Sequence, residues 1–273
     1  MKRAEFIMIT TYLLYLVLGA FAGVLAGLLG IGGGLVIVPM LNFAFELQGF
    51  PEVHIQHVAL GTSLATIIFT SLSSMRAHHK RGAIDWTAFW RLAPGIILGT
   101  YLGAWIASIL STMVLKAVFG IFLYYVATQM LFGKKTEGTR EMPGTVGIFG
   151  AGNVIGIFSA IVGIGGGTLT VPFLSWCSQT MHRSIATAAA VGLPIALSGT
   201  AGYIINGTGV ENIPGPHIGY VYIPALLGII ATSMLTAPFG AKLAHSLPVD
   251  KLKRIFAILL YAVGTKMLWS AFL

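Results

Sequence analysis

The sequence predicts an all-α membrane protein: a polytopic helical bundle of two five-segment repeats, inverted with respect to each other, whose helices are broken at glycines. Three observations predict it. Hydrophobic residues make up 56% of the chain and charged residues 9%, too little polar surface to cover a soluble globule. Ten apolar stretches follow one another with polar gaps between them. The pentapeptide Gly30-Ile31-Gly32-Gly33-Gly34 returns as Gly163-Ile164-Gly165-Gly166-Gly167, and each copy is followed five residues later by a proline, Pro39 or Pro172.

The first apolar run, residues 7–29, follows Lys2 and Arg3 and contains Ala20-Phe21-Ala22, which has the look of a signal-peptidase site. Its length and its place in the repeat make it a span and not a cleaved leader. The second, 35–47, begins at the first glycine cluster. Glycine in a helix interior costs about 1 kcal/mol relative to alanine and proline costs more, so this stretch is expected to break its helix. Non-helical backbone at membrane depth survives only where protein or a polar cavity covers it, so the break marks a site. A helix that restarts there turns its free N–H groups and its positive dipole end toward the gap, which favours an anion.

Residues 57–75, 88–110 and 114–132 complete the first set. The stretch 133–144 holds Lys134, Lys135, Glu137, Arg140, Glu141 and Pro143 and reads as a linker, so the repeats are expected at 1–137 and 138–273. The second set runs 145–163, 168–178, 184–205, 219–243 and 253–272. Its register shows in letters: Val38-Pro39 against Val171-Pro172, Leu115-Lys116 against Leu252-Lys253, Phe119 against Phe256, Met130-Leu131 against Met267-Leu268.

Five crossings per half is an odd number, which inverts the second half and places twelve basic residues on the cytoplasmic side against four outside. The short segments have 13 and 11 residues. A full crossing needs ~20, so spanning and re-entrant forms both stay open. Re-entrance in both halves would give eight crossings, parallel repeats and a ten-to-six distribution of basic residues. Re-entrance in the first half alone would give fourteen to two, but it treats matching repeats differently. The symmetric ten-segment arrangement is the expected one.

The formal charge of +8 is spread over loops between spans and not gathered on one face, so the expected partner is the lipid bilayer and not a nucleic acid. The single Cys177 excludes a disulfide or a cysteine metal cage within one chain, and no metal or cofactor is expected. None of the eight acids falls in mid-span. That argues against a cation path and for a small neutral or anionic substrate. What the spans do hold is small and polar: Asn42, Thr62, Ser63, Thr66, Thr70, Ser71, Ser73, Ser74, Gln129, Asn153, Ser159, Thr187 and Ser198. Hydroxyls donate to an anion without the desolvation cost of a buried cation; the competing use is bonding to their own helix backbone.

Thr62-Ser63, in the helix after the first break, is the favoured pair. His57, three residues after His54, is a candidate proton relay. Arg76 is a candidate anion contact, with snorkelling to the headgroups as its ordinary use. The glycine clusters match neither nucleotide-loop pattern, and no Ser-His-Asp arrangement is present, so the chain is not expected to be an enzyme.

The doubled Gly-Ile-Gly-Gly-Gly with its following Val-Pro, the run Ala59-Leu60-Gly61-Thr62-Ser63-Leu64, and the basic loop ending in Asp85-Trp86 together resemble the sulfite exporter TauE/SafE family of bacterial inner-membrane permeases. The resemblance covers nearly the whole chain. It implies movement of sulfite and small organosulfur anions such as sulfonates, mostly outward. It implies that Gly30, Gly32, Gly33, Gly34 and Pro39, with Gly163, Gly165, Gly166, Gly167 and Pro172, frame the pathway, and that Thr62 and Ser63 line it. The second half departs from the pattern: Ala188-Ala189-Ala190 stands where a second Thr-Ser pair belongs, which makes the first half the expected donor. The alternatives are a permease for metal ions or other cations and, from a different class, a membrane enzyme or assembly factor.

Overall fold

The computed structural model describes residues 12–24, 33–132, 141–246 and 249–272. Gly30, Gly32 and most of the 133–144 linker lie outside the described residues. Ten helices are described: α1 (Tyr12–Val24), α2 (Gly34–Leu47), α3 (Glu52–Lys80), α4 (Trp86–Ile109), α5 (Thr112–Phe132), α6 (Thr145–Val162), α7 (Gly167–Trp176), α8 (Met181–Asn206), α9 (Ile223–Ser246) and α10 (Val249–Phe272). Six of them carry stretches long and apolar enough to cross a membrane: α3, α4, α5, α6, α8 and, in α10, Arg254–Phe272. Large apolar side chains such as Val146, Leu235 and Phe132 face outward, as lipid requires and water would not. The fold is an all-α polytopic membrane bundle.

Small residues set how the helices meet. On α4, Gly95, Gly99 and Gly103 recur every fourth position; a Cβ there would lie 2.2 Å from the Phe149 carbonyl oxygen, 2.1 Å from that of Asn153 and 2.5 Å from that of Ile157. The partners on α6 advance in step with the glycines, so α4 and α6 run parallel with their backbones in contact. The same device joins α1 to α9, where a Cβ on Gly19 or Gly23 would lie 2.7 Å from Ile229 Cα or 2.6 Å from Ser233 Cα. On α5 and α10 the partners run in opposite order: Tyr124 OH meets Thr265 Oγ1 at 2.6 Å, and Thr128 Oγ1 meets Tyr261 OH at 2.7 Å. These two helices are antiparallel. So are α3 and α8, at the centre, where Gly61 faces Tyr203, Gly199 faces Leu64 and Gly192 faces Ser71. Leu60, Leu64 and Ile67 of α3 and Val191 and Ile195 of α8 are fully buried around this seam.

Pro39 and Pro172 sit inside α2 and α7, and the glycines Gly33 and Gly166 cap the starts of these helices. Each is far enough into its helix that the missing N–H costs one bond and no more of the ladder. The ninth segment does not begin at 219: residues 217–222 form a short antiparallel hairpin, β1 (His217–Ile218) and β2 (Val221–Tyr222), and α9 starts at Ile223. The Tyr222 N–H donates to Thr62 Oγ1 at 3.0 Å, and the Tyr220 N–H donates to the Tyr203 carbonyl at 3.2 Å. The hairpin therefore folds inward onto α3 and α8, with Tyr220 and Tyr222 buried.

Candidate functional site

Both glycine clusters end in the same backbone geometry. Gly33 caps α2 with φ 76° and Gly166 caps α7 with φ 74°, left-handed values that a residue with a Cβ rarely adopts. In each case the cap carbonyl closes the first turn: Gly33 O accepts from Val36 and Ile37 at 3.0 Å, and Gly166 O accepts from Leu169 at 3.1 Å and Thr170 at 2.7 Å. The two preceding amides of each helix have no acceptor within it, and together with the aligned peptides they give each start roughly half a positive charge.

The two interruptions meet. A Cβ at Gly34 would lie 2.6 Å from the Gly163 carbonyl oxygen and 3.0 Å from Ile164 Cα, so the start of α2 rests on the bend that leads to α7. Gly163, Gly165 and Gly166 are all buried. Ser71 of α3 reaches the same bend, since a Cβ at Gly192 would lie 2.6 Å from Ser71 Oγ and 3.0 Å from the Gly165 carbonyl oxygen.

Around the start of α7 stand three hydroxyl groups, on Ser159, Thr168 and Thr170, whose oxygens are buried and have no hydrogen-bond partner in the protein. Ser159 and Thr170 are fully buried, and their oxygens lie 3.7 Å and 3.4 Å from where a Gly166 Cβ would be. Leaving one buried hydroxyl unpaired costs about 1–3 kcal/mol, so three around one helix start call for a ligand that accepts from them.

The first-half pair is used differently. Ser63 Oγ donates to the Gly163 carbonyl at 3.0 Å and so pins the bend of the opposite half, while Thr62 Oγ1 accepts from the hairpin. Sequence reading favoured the first half as donor; the unpartnered hydroxyls around the start of α7 belong to the second, while Thr100 on α4 of the first half is another buried hydroxyl without a protein partner. A signal for them exists in the repeat itself, because Thr168 and Thr170 occupy the places of Leu35 and Ile37. Ser159 was among the polar candidates, and its counterpart is Ala26.

The structure places His57 and Arg76 away from the glycine bends. His57 Nε2 donates to the carbonyls of Ala107 at 3.0 Å and Leu110 at 3.1 Å, closing the C-terminal end of α4, and its ring stacks on Tyr220 at 5.1 Å. It lines a cavity of about 790 Å³ with Glu46, His54, Lys116 and Tyr220, where Lys116 and Glu46 form an ion pair at 3.1 Å. Arg76 is exposed near the far end of α3. At that end Asp85 ties the halves together: its N–H donates to Thr187 Oγ1 at 2.9 Å, and Gln179 Nε2 donates to its carboxylate. Burial raises the Asp85 pKa, but the Ala88 N–H, Gln179 and the Arg183 charge outweigh it and hold the carboxyl below its ordinary value.

The sequence matches the family described as sulfite exporter TauE/SafE over residues 15–267. The chain belongs to the sulfite exporter TauE/SafE family. Among similar proteins, a "Probable membrane transporter protein" of Haemophilus influenzae is 39% identical over 262 residues, covering 95% of this chain and 99% of the relative. A probable membrane transporter of Methanocaldococcus jannaschii is 28% identical, covering 97% and 98%. The probable membrane transporter YunE of Bacillus subtilis is 26% identical, covering 95% and 98%. No solved structure matches the chain with significance. TauE/SafE membership makes this a multi-pass membrane transporter.

Proposed function

We propose that the protein is a secondary transporter that exports small sulfur-containing oxyanions, such as sulfite or sulfonates, across the bacterial inner membrane by alternating access. The observation that carries this reading is the meeting of the two glycine bends, Gly34 against Gly163, beside the unpartnered hydroxyls of Ser159, Thr168 and Thr170. Helix starts and hydroxyls offer hydrogen-bond donors and partial positive charge, the complement of an oxyanion.

The two repeats are inverted in this reading, which the antiparallel pairing of equivalent helices, α3 with α8 and α5 with α10, supports. Inversion gives the bundle two related conformations around a fixed central site. An inside-negative potential favours exit of each negative charge by about 2.3 kcal/mol per 100 mV, so export needs no coupling ion.

Flux of labelled sulfite and of a small sulfonate into proteoliposomes, with membrane potential and pH gradient imposed separately, tests the proposal. Saturable uptake that rises with an inside-positive potential is the expected result. Rates equal to empty liposomes for these and other oxyanions would defeat it.

A further inference from the structure

We infer that the site takes its substrate as a monoanion and excludes the dianion, so that pH sensitivity of sulfite transport resides in the substrate and not in the protein. The inference rests on the reading of the glycine bends as an oxyanion site. Its argument is one of charge balance. The helix starts capped by Gly33 and Gly166 contribute roughly half a positive charge each, and the carboxyl end of α6 at Gly163, on which Gly34 packs, takes back roughly half a charge, leaving roughly half a positive charge.

No basic side chain adds to it among the described residues of the bends. Lys116 is committed to Glu46 in the cavity beside His57, and Arg76 is exposed at the other end of α3. The undescribed part of the first cluster, residues 25–32, contains no charged residue in its sequence.

The remaining donors are the neutral hydroxyls of Ser159, Thr168 and Thr170, with Ser71 nearby. They supply hydrogen bonds without charge. The cost of removing an ion from water grows as the square of its charge, so a dianion meets ~4 times the penalty of a monoanion against attraction that only doubles. A site of roughly half a positive charge therefore comes close to balancing a hydrogensulfite or an alkylsulfonate, whose oxygens the hydroxyls also bond, and leaves sulfite itself, with two charges, far from compensated.

The groups that face the bends from the packed elements do not supply a competing switch. From α8 it is Tyr203, whose hydroxyl donates to the Ala160 carbonyl at 3.0 Å; the nearest titratable group on α3, His57, does not face the bends but is turned to the end of α4. The elements α2, α6 and α7 present Gly34, Ser159 and Thr170, none of which ionises.

A sulfonate stays a monoanion at all relevant pH, whereas hydrogensulfite loses its second proton near neutrality. The test is initial flux of methanesulfonate and of sulfite in proteoliposomes clamped at zero potential, with the same pH on both sides, from about pH 6 to about pH 8.5 and below saturation.

The expected result is a flat profile for methanesulfonate and a fall in sulfite flux of about tenfold per pH unit above the second ionisation. Sulfite flux that is flat or rises with pH would overturn the inference. So would a parallel fall for both anions, which would locate the titration in the protein. Flux of neither anion above empty liposomes would instead overturn the oxyanion reading on which the inference stands.

Discussion

Thr170 stands where the first repeat has Ile37, and that difference concentrates hydrogen-bond donors at one of two otherwise similar helix starts. Replacing Thr170 with valine keeps the volume and removes only the hydroxyl. A hydrogen bond to a charged ligand is worth about 1.5–3 kcal/mol, so KM for the transported anion is expected to rise about 10- to 100-fold. Because that hydroxyl has no partner in the protein, the same substitution should hold or slightly raise the melting temperature without substrate. Unchanged KM in flux assays would remove Thr170 from the site. The donors at 168 and 170 were legible once the two glycine clusters were aligned. The bond from Ser63 to Gly163 was not, since nothing local links residues one hundred positions apart.

At the scale of elements, α4 and α6 are held by backbone contact along Gly95, Gly99 and Gly103. A side chain at Gly99 must push the helices apart, because its Cβ would lie 2.1 Å from a carbonyl oxygen that cannot move without the helix. Gly99→Leu is expected to cost about 3 kcal/mol or more, seen as a large drop in melting temperature in detergent. Gly150→Leu, on α6 where nothing lies within 4 Å, should stay within about 0.5 kcal/mol. Equal melting of the two variants would mean that this contact is absent.

Apolar runs gave helix positions closely, because hydropathy and helix length both answer to bilayer thickness. They ended α3 early, at 57–75 instead of Glu52–Lys80, since the helix continues past the apolar boundary with Glu52 in its first turn and His78, His79 and Lys80 in its last, charges that suit its dipole. The hairpin at 217–222 was hidden for a different reason. Its letters are as apolar as a span, and only tertiary contacts with Thr62 and Tyr203 make it extended.

For the whole molecule the orientation of the halves follows from which loops share an end. The loop after α3 meets the loop after α7 through Asp85 and Gln179, while His57 and the hairpin gather at the opposite end of α3. The first end also carries Lys80, Arg81 and Arg183, an excess of basic loop residues that predicts the cytoplasmic side for it. The loops after α3 and after α8 are equivalents in the two repeats. In an inverted repeat they open on opposite sides, and in a parallel repeat on the same side. Arg81 and Glu211 sit in these loops, and both are exposed. With Cys177 replaced by alanine, Arg81→Cys and Glu211→Cys give single-thiol proteins for a membrane-impermeant maleimide. Glu211→Cys should label in intact spheroplasts, and Arg81→Cys only after the membrane is opened. Labelling of both from one side would abandon the inverted repeat, and with it the proposed rocking of two halves about one central site.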